Sequence, residues 1–359
     1  MTKRRFYLFG AVVALGAMWL LTAAPASADS VRDRQWHLPA LDIARAHQNS
    51  QGEGVVVAVA DTGVDDRHGE LAGAVLPGKE FGEGASGDGR ADTDGHGTAM
   101  AGLIAGRGLA NGAGVLGIAP KASILPVQTI HGDFGGAPTA LAAGIEWAVS
   151  KGAQVICVAA GTSEYPEVRQ AVEHAIRADV VVVAGAGNTP SSTGVAFPAR
   201  LPGVLAVAGT DRSGNHAAIS ATGPEVVLAA PAVDIISTST FGKYVTSQGT
   251  SNSTAIVAGV VALVRSKFPQ LPAAEVVRRL TATAVDRGKP GRDDEFGYGI
   301  VNPVGALTAS IPAALSSALA SPSPGSSRRP GRSPVVWVVV GAVLVLGCAG
   351  LVASRRRRR

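Results

Sequence analysis

The chain alternates short apolar runs with longer Ala-rich stretches between residues 54 and 309. Apolar runs of four to six residues, rich in Val and Ile, are typical of parallel strands that are buried on both faces. The runs predict strands at 55–60, 123–127, 155–159, 180–184, 204–208 and 226–229. The stretches between and after them predict helices at 98–105, 139–151, 165–178, 251–268 and 273–284. This order predicts an α/β domain, in which helices cover a mainly parallel sheet in three layers.

Both ends of the chain have patterns that differ from this domain. Residues 1–28 join three basic residues, an apolar run at 6–21 and the small residues Ala26-Ser27-Ala28, which predicts a secretory signal peptide cleaved after Ala28. An uncleaved N-terminal anchor is the alternative. Residues 335–353 contain 19 residues without a charge, followed by an arginine tail within 354–359. This pattern predicts one C-terminal transmembrane helix with a cytoplasmic tail; a buried core helix with a basic tail is the alternative.

Two further segments complete the predicted organisation. Residues 29–53 are mixed and polar and form an N-terminal extension, and residues 310–334 are a Pro/Ser/Arg-rich linker. The predicted topology is a body outside the cytoplasm, tethered to the cell membrane by a single span.

The net charge of +5 comes from the ends of the chain. Residues 1–28, three arginines of the linker and the tail hold 11 of the 32 Lys and Arg residues and none of the 27 acidic residues. The rest carries 21 basic against 27 acidic residues, a net charge of −6. Charge therefore gives no support for nucleic-acid binding. Of the two cysteines, Cys348 lies in the predicted membrane span and Cys157 in a strand, so no disulfide can form within the body.

The first candidates for chemistry are a carboxylate and an imidazole. Asp61 follows the first predicted strand, where a buried carboxylate can accept a hydrogen bond from a histidine. Asp-Thr-Gly at 61–63 is also a common turn, and it occurs in acid proteases, but these need a second copy that this chain lacks. His96 lies in DGHGT (94–98) at a predicted helix start. His68 is the rival base, and we assign it a structural hydrogen-bonding role.

The next candidates are an amide and a hydroxyl. Asn188 ends GAGN (185–188) after a predicted strand, where it can donate to an oxyanion or simply form a turn. GTSNSTAIVAG (249–259) offers four hydroxyls, and Ser and Thr there are also ordinary helix caps. Each signal is weak alone, but acid, base, amide and hydroxyl together occur in the order found in subtilisin. That order favours Ser251 as a nucleophile at a helix start.

Residues 54–307 resemble the subtilisin-like serine proteases. Six blocks carry the resemblance: VAVADTGVDDRHGEL (57–71), DGHGTAMAGLIAG (94–106), VVVAGAGN (181–188), FPARLPGVLAVAGTD (197–211), GTSNSTAIVAG (249–259) and FGYGIVNPVGAL (296–307). The resemblance implies a triad of Asp61, His96 and Ser251, with Asn188 in the oxyanion hole. It also implies two substrate-binding segments, one of Ala159, Ala160 and Gly161 and one of Ala184, Gly185, Ala186 and Gly187. We expect no cofactor and no required metal, and leave a stabilising Ca²⁺ open.

The segment RDRQWHLPALDIARAHQNSQGEG (32–54), with the signal peptide and anchor, resembles the mycosins, membrane-anchored subtilases associated with actinobacterial type VII secretion. This implies an endopeptidase that acts on exported proteins and has the cytoplasmic membrane and a type VII secretion complex as partners. A structural component of that complex with dispensable proteolysis is the alternative. A nutrient-scavenging protease is disfavoured by the anchor.

The chain departs from the family pattern at several points. Ala255 replaces a proline after the nucleophile, and AAGT (159–162) replaces Ser-Leu-Gly-Gly, so side-chain preference cannot be transferred from the family. The sequon at 252–254 is expected to be inaccessible in the helix. The extension at 29–53 is too short for an inhibitory pro-domain that folds alone. Either the protease is constitutively active and limited by access, or the extension merely packs on the body, which the resemblance favours.

Overall fold

The predicted strands form one sheet in the computed structural model, which describes residues 30–110, 112–132 and 137–311. Its seven strands follow the order β2-β3-β1-β4-β5-β6-β7, and all pair in parallel. Their bounds are β1 Val56–Asp61, β2 Lys79–Glu80, β3 Ser123–Gln128, β4 Val155–Val158, β5 Val181–Gly185, β6 Leu205–Thr210 and β7 Leu228–Pro231. Six of these confirm the strands predicted from sequence, with ends shifted by up to two residues.

The helices cover both faces of this sheet. They are α1 Ser30–Arg34, α2 His37–Ala40, α3 Ile43–His47, α4 His96–Ala105, α5 Pro138–Ser150, α6 Pro166–Arg177, α7 Thr250–Lys267, α8 Ala273–Thr283 and α9 Pro303–Thr308. Alternate residues of β1 divide between two core clusters. Val57 and Val59 pack with α4 and α7, whereas Ala58 and Ala60 pack with α5 and α6. This confirms the predicted three-layer α/β fold.

Helix α7 is the central element of one layer. All but three of its residues are buried, because the sequence after residue 254 is apolar around the whole helix. Gly259 allows close packing, since a methyl group there would lie 2.6 Å from Cβ of Ile118. The buried helix therefore places its N-terminus, with Ser251, in a fixed position beside the sheet.

Two features were absent from the sequence prediction. An antiparallel hairpin joins β8 Ile235–Thr238 to β9 Tyr244–Ser247. The extension forms α1 to α3, and its Leu38 and Ile43 enter the core cluster that contains α7. The indole nitrogen of Trp36 donates to the carbonyls of Val233 and Asp234 at 3.1 and 3.2 Å. The extension thus packs on the body, as one of the two explanations supposed.

Several predictions fall on other parts of the chain. The signal peptide (1–28), the membrane span (335–353), the tail (354–359) and all but the first two residues of the linker lie outside the described residues. Within the described ranges, no helix is long and apolar enough to span a membrane. Cys157 is a free, buried thiol, and its burial raises its pKa.

Candidate active site

The four predicted catalytic positions meet at the carboxyl edge of the sheet. Asp61 is the last residue of β1, and His96 is the first residue of α4. Asn188 follows the end of β5 by three residues, and Ser251 is the second residue of α7. The carboxyl ends of parallel strands lie at one edge, where open α/β sheets place their ligands. The sheet therefore brings together residues that are far apart in sequence.

Asp61 and His96 form a close pair. Nδ1 of His96 lies 2.8 Å from Oδ1 and 2.9 Å from Oδ2 of Asp61. The carboxylate is fully buried, and 35% of the imidazole surface is exposed. The charge of Asp61 raises the pKa of His96 to about 9, against the opposing effect of burial. Because Nδ1 donates to Asp61, the neutral ring has Nε2 free to accept a proton.

The start of α4 is tied to the end of β1. Gly95 is the N-cap, with a φ of 103° that favours glycine. The N–H of Gly97 donates to the hydroxyl of Thr62 at 2.9 Å. A methyl group on Gly97 would lie 2.1 Å from the carbonyl oxygen of Gly63, so a side chain there would force the helix away from the strand. Glycine at this position thus allows the approach of His96 to Asp61.

The four hydroxyls at the start of α7 have different environments. Ser253 is buried and donates to the carbonyl of Ala230 at 2.9 Å, and Thr254 donates to the carbonyl of Thr250 at 2.7 Å. Thr250 is buried beside Asn188, whereas Ser251 is partly exposed in the cleft that His96 lines. Within the described residues, no hydrogen bond of 3.5 Å or less joins Ser251 to His96. The N-cap is Gly249, whose φ of 153° favours glycine, and Thr250 is the first residue of the helix.

Asn188 is oriented by the residue before the serine. Its Oδ1 accepts the N–H of Thr250 at 2.9 Å and the Thr250 hydroxyl at 3.2 Å. The amide nitrogen of Asn188 is therefore left to donate on the side away from Thr250. A methyl group on Gly249 would lie 3.3 Å from both the Asn188 amide nitrogen and the Ser251 hydroxyl, so the two groups flank one small space. An amide donor beside a nucleophile suits the binding of a developing oxyanion.

A cleft of about 840 Å³ is lined by His96, Asn188, Thr250 and Ser251. Five of the seven predicted substrate-binding residues are on its wall: Ala159, Ala160, Gly161, Gly185 and Gly187. Ala184 and Ala186 are not on this wall. Their methyl groups are buried in the core cluster of α5 and α6, because alternate residues of an extended segment point to opposite faces. The amide and carbonyl of Ala186 are also occupied, by Val207 and Ala196.

The cleft has further walls that the sequence did not reveal. A loop after Asn188 contributes Ser191, Ser192 and Ala196. Ser163 follows the AAGT segment (159–162), whose Thr162 also lies on the wall. Sequence reasoning followed strand ends and helix starts, whereas these residues lie in loops. A run of small and hydroxyl residues directly after a candidate oxyanion donor was the available signal.

His68 does not contact Asp61 or His96. Its ring is buried, with Nε2 3.0 Å from the carbonyl oxygen of Lys243 and Nδ1 2.9 Å from Oε2 of Glu70. Burial lowers the pKa of His68, but Glu70 and the carbonyl outweigh it and the pKa is raised. Since Lys243 belongs to the loop between β8 and β9, His68 joins this hairpin to the body. Within the described ranges, no cluster of three or more His, Cys, Asp or Glu is arranged to hold a metal ion.

Comparison with known proteins gives a consistent result. The subtilase family model matches residues 52–299. Subtilisin DY of Bacillus licheniformis is 38% identical over 256 residues, which cover 70% of this chain and 89% of the relative. The crystal structure of MycP1 from Mycobacterium smegmatis superposes with a TM-score of 0.70 at 32% identity, covering 80% of this chain and 87% of that one. The MycP3 protease of the ESX-3 type VII secretion system gives 0.69 at 31% identity, covering 79% and 91%.

Proposed function

Because the chain belongs to the subtilase family of serine endopeptidases, we propose that it cleaves peptide bonds with Asp61, His96 and Ser251 as a catalytic triad. The observation that carries the proposal is the contact of 2.8 Å between His96 and the buried Asp61, in the cleft that Ser251 lines. A buried carboxylate that fixes an imidazole opposite a serine is the arrangement of a serine protease.

The first half of the reaction acylates the serine. Nε2 of His96 takes the Ser251 proton as Oγ attacks the peptide carbonyl, and Asp61 stabilises the imidazolium that results. The carbonyl oxygen becomes an oxyanion, which the Asn188 amide and the Ser251 backbone N–H bind. His96 then returns the proton to the leaving amine, and the C–N bond breaks. Water hydrolyses the acyl-enzyme by the same route.

Asn188 supplies much of the stabilisation of the transition state in this mechanism. Loss of such a donor in subtilisin lowers the rate about 10²–10³-fold, or roughly 3–4 kcal/mol. Thr250 supports the donor, because its N–H and hydroxyl hold the Asn188 oxygen and turn the amide nitrogen toward Ser251. The cleft between residues 159–161 and 185–187 provides space for an extended peptide. Its backbone pairs with the 159–161 segment, because the amides and carbonyls of Ala186 and Gly187 are already bonded within the protein.

The finer setting of the enzyme is part of the same proposal. Residues 1–28 direct the chain out of the cytoplasm, and residues 335–353 anchor it in the cell membrane. Its substrates are exported proteins that pass this membrane. The likeness to MycP1 and MycP3, the latter described as a protease of a type VII secretion system, supports an association with such a system.

Active-site labelling tests the triad. A fluorophosphonate probe forms a covalent bond only with an activated serine, so we expect one labelled peptide, at Ser251, in the wild-type protein. Ser251→Ala and His96→Ala should abolish labelling. Ser253→Ala is the matched control, because it removes a neighbouring buried hydroxyl that bonds to Ala230, and its labelling should persist. Labelling at Ser253, or none in folded wild-type protein, would contradict the assignment.

A further inference from the structure

A second carboxylate lies four residues before His96 and is almost completely buried. Asp92 is 3% exposed. Its Oδ1 accepts the N–H groups of Asp94 and Gly95 at 3.1 and 2.9 Å. Its Oδ2 accepts the N–H of Thr98 at 3.0 Å and the Thr98 hydroxyl at 2.6 Å. Four donors therefore converge on two oxygens.

Only a carboxylate satisfies this arrangement. An asparagine at position 92 would offer one oxygen and one NH₂ group, and either orientation of the amide would place the NH₂ against at least one backbone N–H. Each buried donor that loses its acceptor costs about 1–3 kcal/mol. The negative charge of Asp92 is also favoured at this position, because the N–H groups at the start of α4 have no acceptor within the helix and give that end a positive potential.

The groups held by Asp92 surround His96 on both sides. Gly95 is the N-cap immediately before His96, and Thr98 lies two residues after His96. The Thr98 hydroxyl also accepts the N–H of Asp65 at 2.9 Å, in the segment that continues from β1. Asp92 and Thr98 thus connect the helix that carries His96 with the chain that carries Asp61.

We propose that Asp92 is a positioning residue of the active site, whose four hydrogen bonds hold the start of α4 so that the His96 imidazole stays against the Asp61 carboxylate. The inference rests on the proposed function, because it assigns a purpose to the geometry of a catalytic pair. It adds a fourth side chain to the three of the triad, one that touches neither substrate nor the reacting atoms.

The charge of Asp92 has a separate, weaker effect. Asp61 raises the pKa of His96 most, and Asp94 and then Asp92 add to the rise. Loss of Asp92 or of Asp94 therefore lowers the pKa of His96 and shifts the pH dependence of activity to lower pH. Loss of positioning differs from this charge effect. It lowers kcat even on the alkaline plateau of the pH profile, where His96 is already neutral.

Asp293 offers a matched control. Its Oδ1 accepts the N–H groups of Glu295 and Phe296 at 2.9 and 2.8 Å, and its Oδ2 accepts that of Lys289 at 2.9 Å. It is therefore also a loop carboxylate that holds several backbone amides. Asp293 does not line the cleft, so its replacement perturbs a loop without touching the start of α4.

The test compares Asp92→Asn with Asp293→Asn at a temperature where circular dichroism shows both variants folded. On the alkaline plateau we expect Asp92→Asn to lower kcat by about 10–100-fold with KM changed by less than about twofold, because a shift of about 1 Å at a catalytic group costs up to 10² in rate. The low-field NMR resonance of the His96 Nδ1 proton should shift or broaden. Asp293→Asn should lower the melting temperature and keep kcat and the resonance of the wild type.

A second pair of variants covers a failure of Asp92→Asn to fold. Thr98→Val removes the hydroxyl bonded to Asp92 and should lower kcat, whereas Thr98→Ser keeps it and should restore the wild-type rate. Equal kcat in Thr98→Val and Thr98→Ser, or a folded Asp92→Asn that matches Asp293→Asn in kcat and resonance, would overturn the positioning role. Absence of Ser251 labelling in the wild-type protein would instead overturn the proposed function. The two failures are distinguishable, because the His96 resonance is recorded without turnover.

Discussion

Two histidines show how the environment of a residue decides its chemistry. His37 and His96 both begin helices. Within the described residues, neither ring nitrogen of His37 has a hydrogen-bond partner, and complete burial lowers its pKa to about 3. His96 has the Asp61 carboxylate at 2.8 Å, and its pKa is raised to about 9. His37 is therefore neutral at every physiological pH, whereas His96 can gain and release a proton.

The raised pKa of His96 predicts how activity and stability depend on pH. His96 must be neutral to accept the serine proton. We therefore expect kcat/KM to rise with pH, with the midpoint of the rise well above pH 6.5. The pair of His96⁺ and Asp61 stabilises the folded protein fully below pH 6.5, and this contribution is lost as pH rises to about 9. The free energy of unfolding of wild type minus that of Asp61→Asn should therefore shrink between these values. A difference that grows with pH would contradict the pairing.

The sequence predicts residue roles where chemistry leaves a pattern in side chains. Asp61, His96, Asn188 and Ser251 could be singled out because each is a distinctive polar residue near the end of a predicted strand or at the start of a predicted helix. Asp92 was not, because its partners are mainly backbone amides, which every sequence has. The environments of the four hydroxyls near Ser251 also required the structure, since they depend on which face of α7 meets β7.

At the scale of elements, burial separates what the sequence predicts from what it misses. The strands β1, β4, β5 and β6 are buried almost throughout, so each appears as a continuous apolar run. Strand β9 alternates between exposed and half-buried residues, and β2 has only two residues. Neither gives an apolar run long enough to predict a strand. The hairpin of β8 and β9 is held instead by contacts distant in sequence, such as that of His68 with Lys243.

The turn of this hairpin contains a strained residue. Phe241 has φ 57° and ψ 36°, in the left-handed region, and 69% of its surface is exposed. The next residue, Gly242, also has a positive φ, so the turn belongs to the class that favours Asn-Gly. The backbone N–H of Phe241 donates to Oδ2 of Asp65 at 3.0 Å, which fixes the turn to the body.

Relief of this strain predicts a stabilising substitution. Phe241→Asn keeps the bond from the backbone to Asp65 and loses little buried surface. Asn tolerates the left-handed conformation, which costs about 1 kcal/mol for an ordinary side chain. We expect the free energy of unfolding in urea to rise by about 0.5–1 kcal/mol. Phe241→Val is the control, because a β-branched side chain suits this conformation least and should destabilise the protein. Equal stability of the two variants would show that the turn carries no strain.

At the scale of the whole molecule, the extension is part of the body. It contributes Leu38, Leu41 and Ile43 to the core around α7. Its polar groups bond to residues on other elements, among them the side chain of Gln35 to the backbone of Leu116 and the ring of His47 to the carbonyl of Ile118. None of these partners lines the cleft. The described extension is therefore placed to stabilise the domain and not to block substrate.

Weakening the extension separates these two roles. Trp36→Ala removes a ring that is 9% exposed and two hydrogen bonds, and should lower the free energy of unfolding by about 3 kcal/mol. Trp36→Phe keeps most of the ring and should lose only about 1 kcal/mol. In folded protein, kcat/KM for a peptide substrate should match the wild type in both variants. An inhibitory extension predicts the opposite, because a loosened inhibitor would raise kcat/KM most in Trp36→Ala, the less stable of the two.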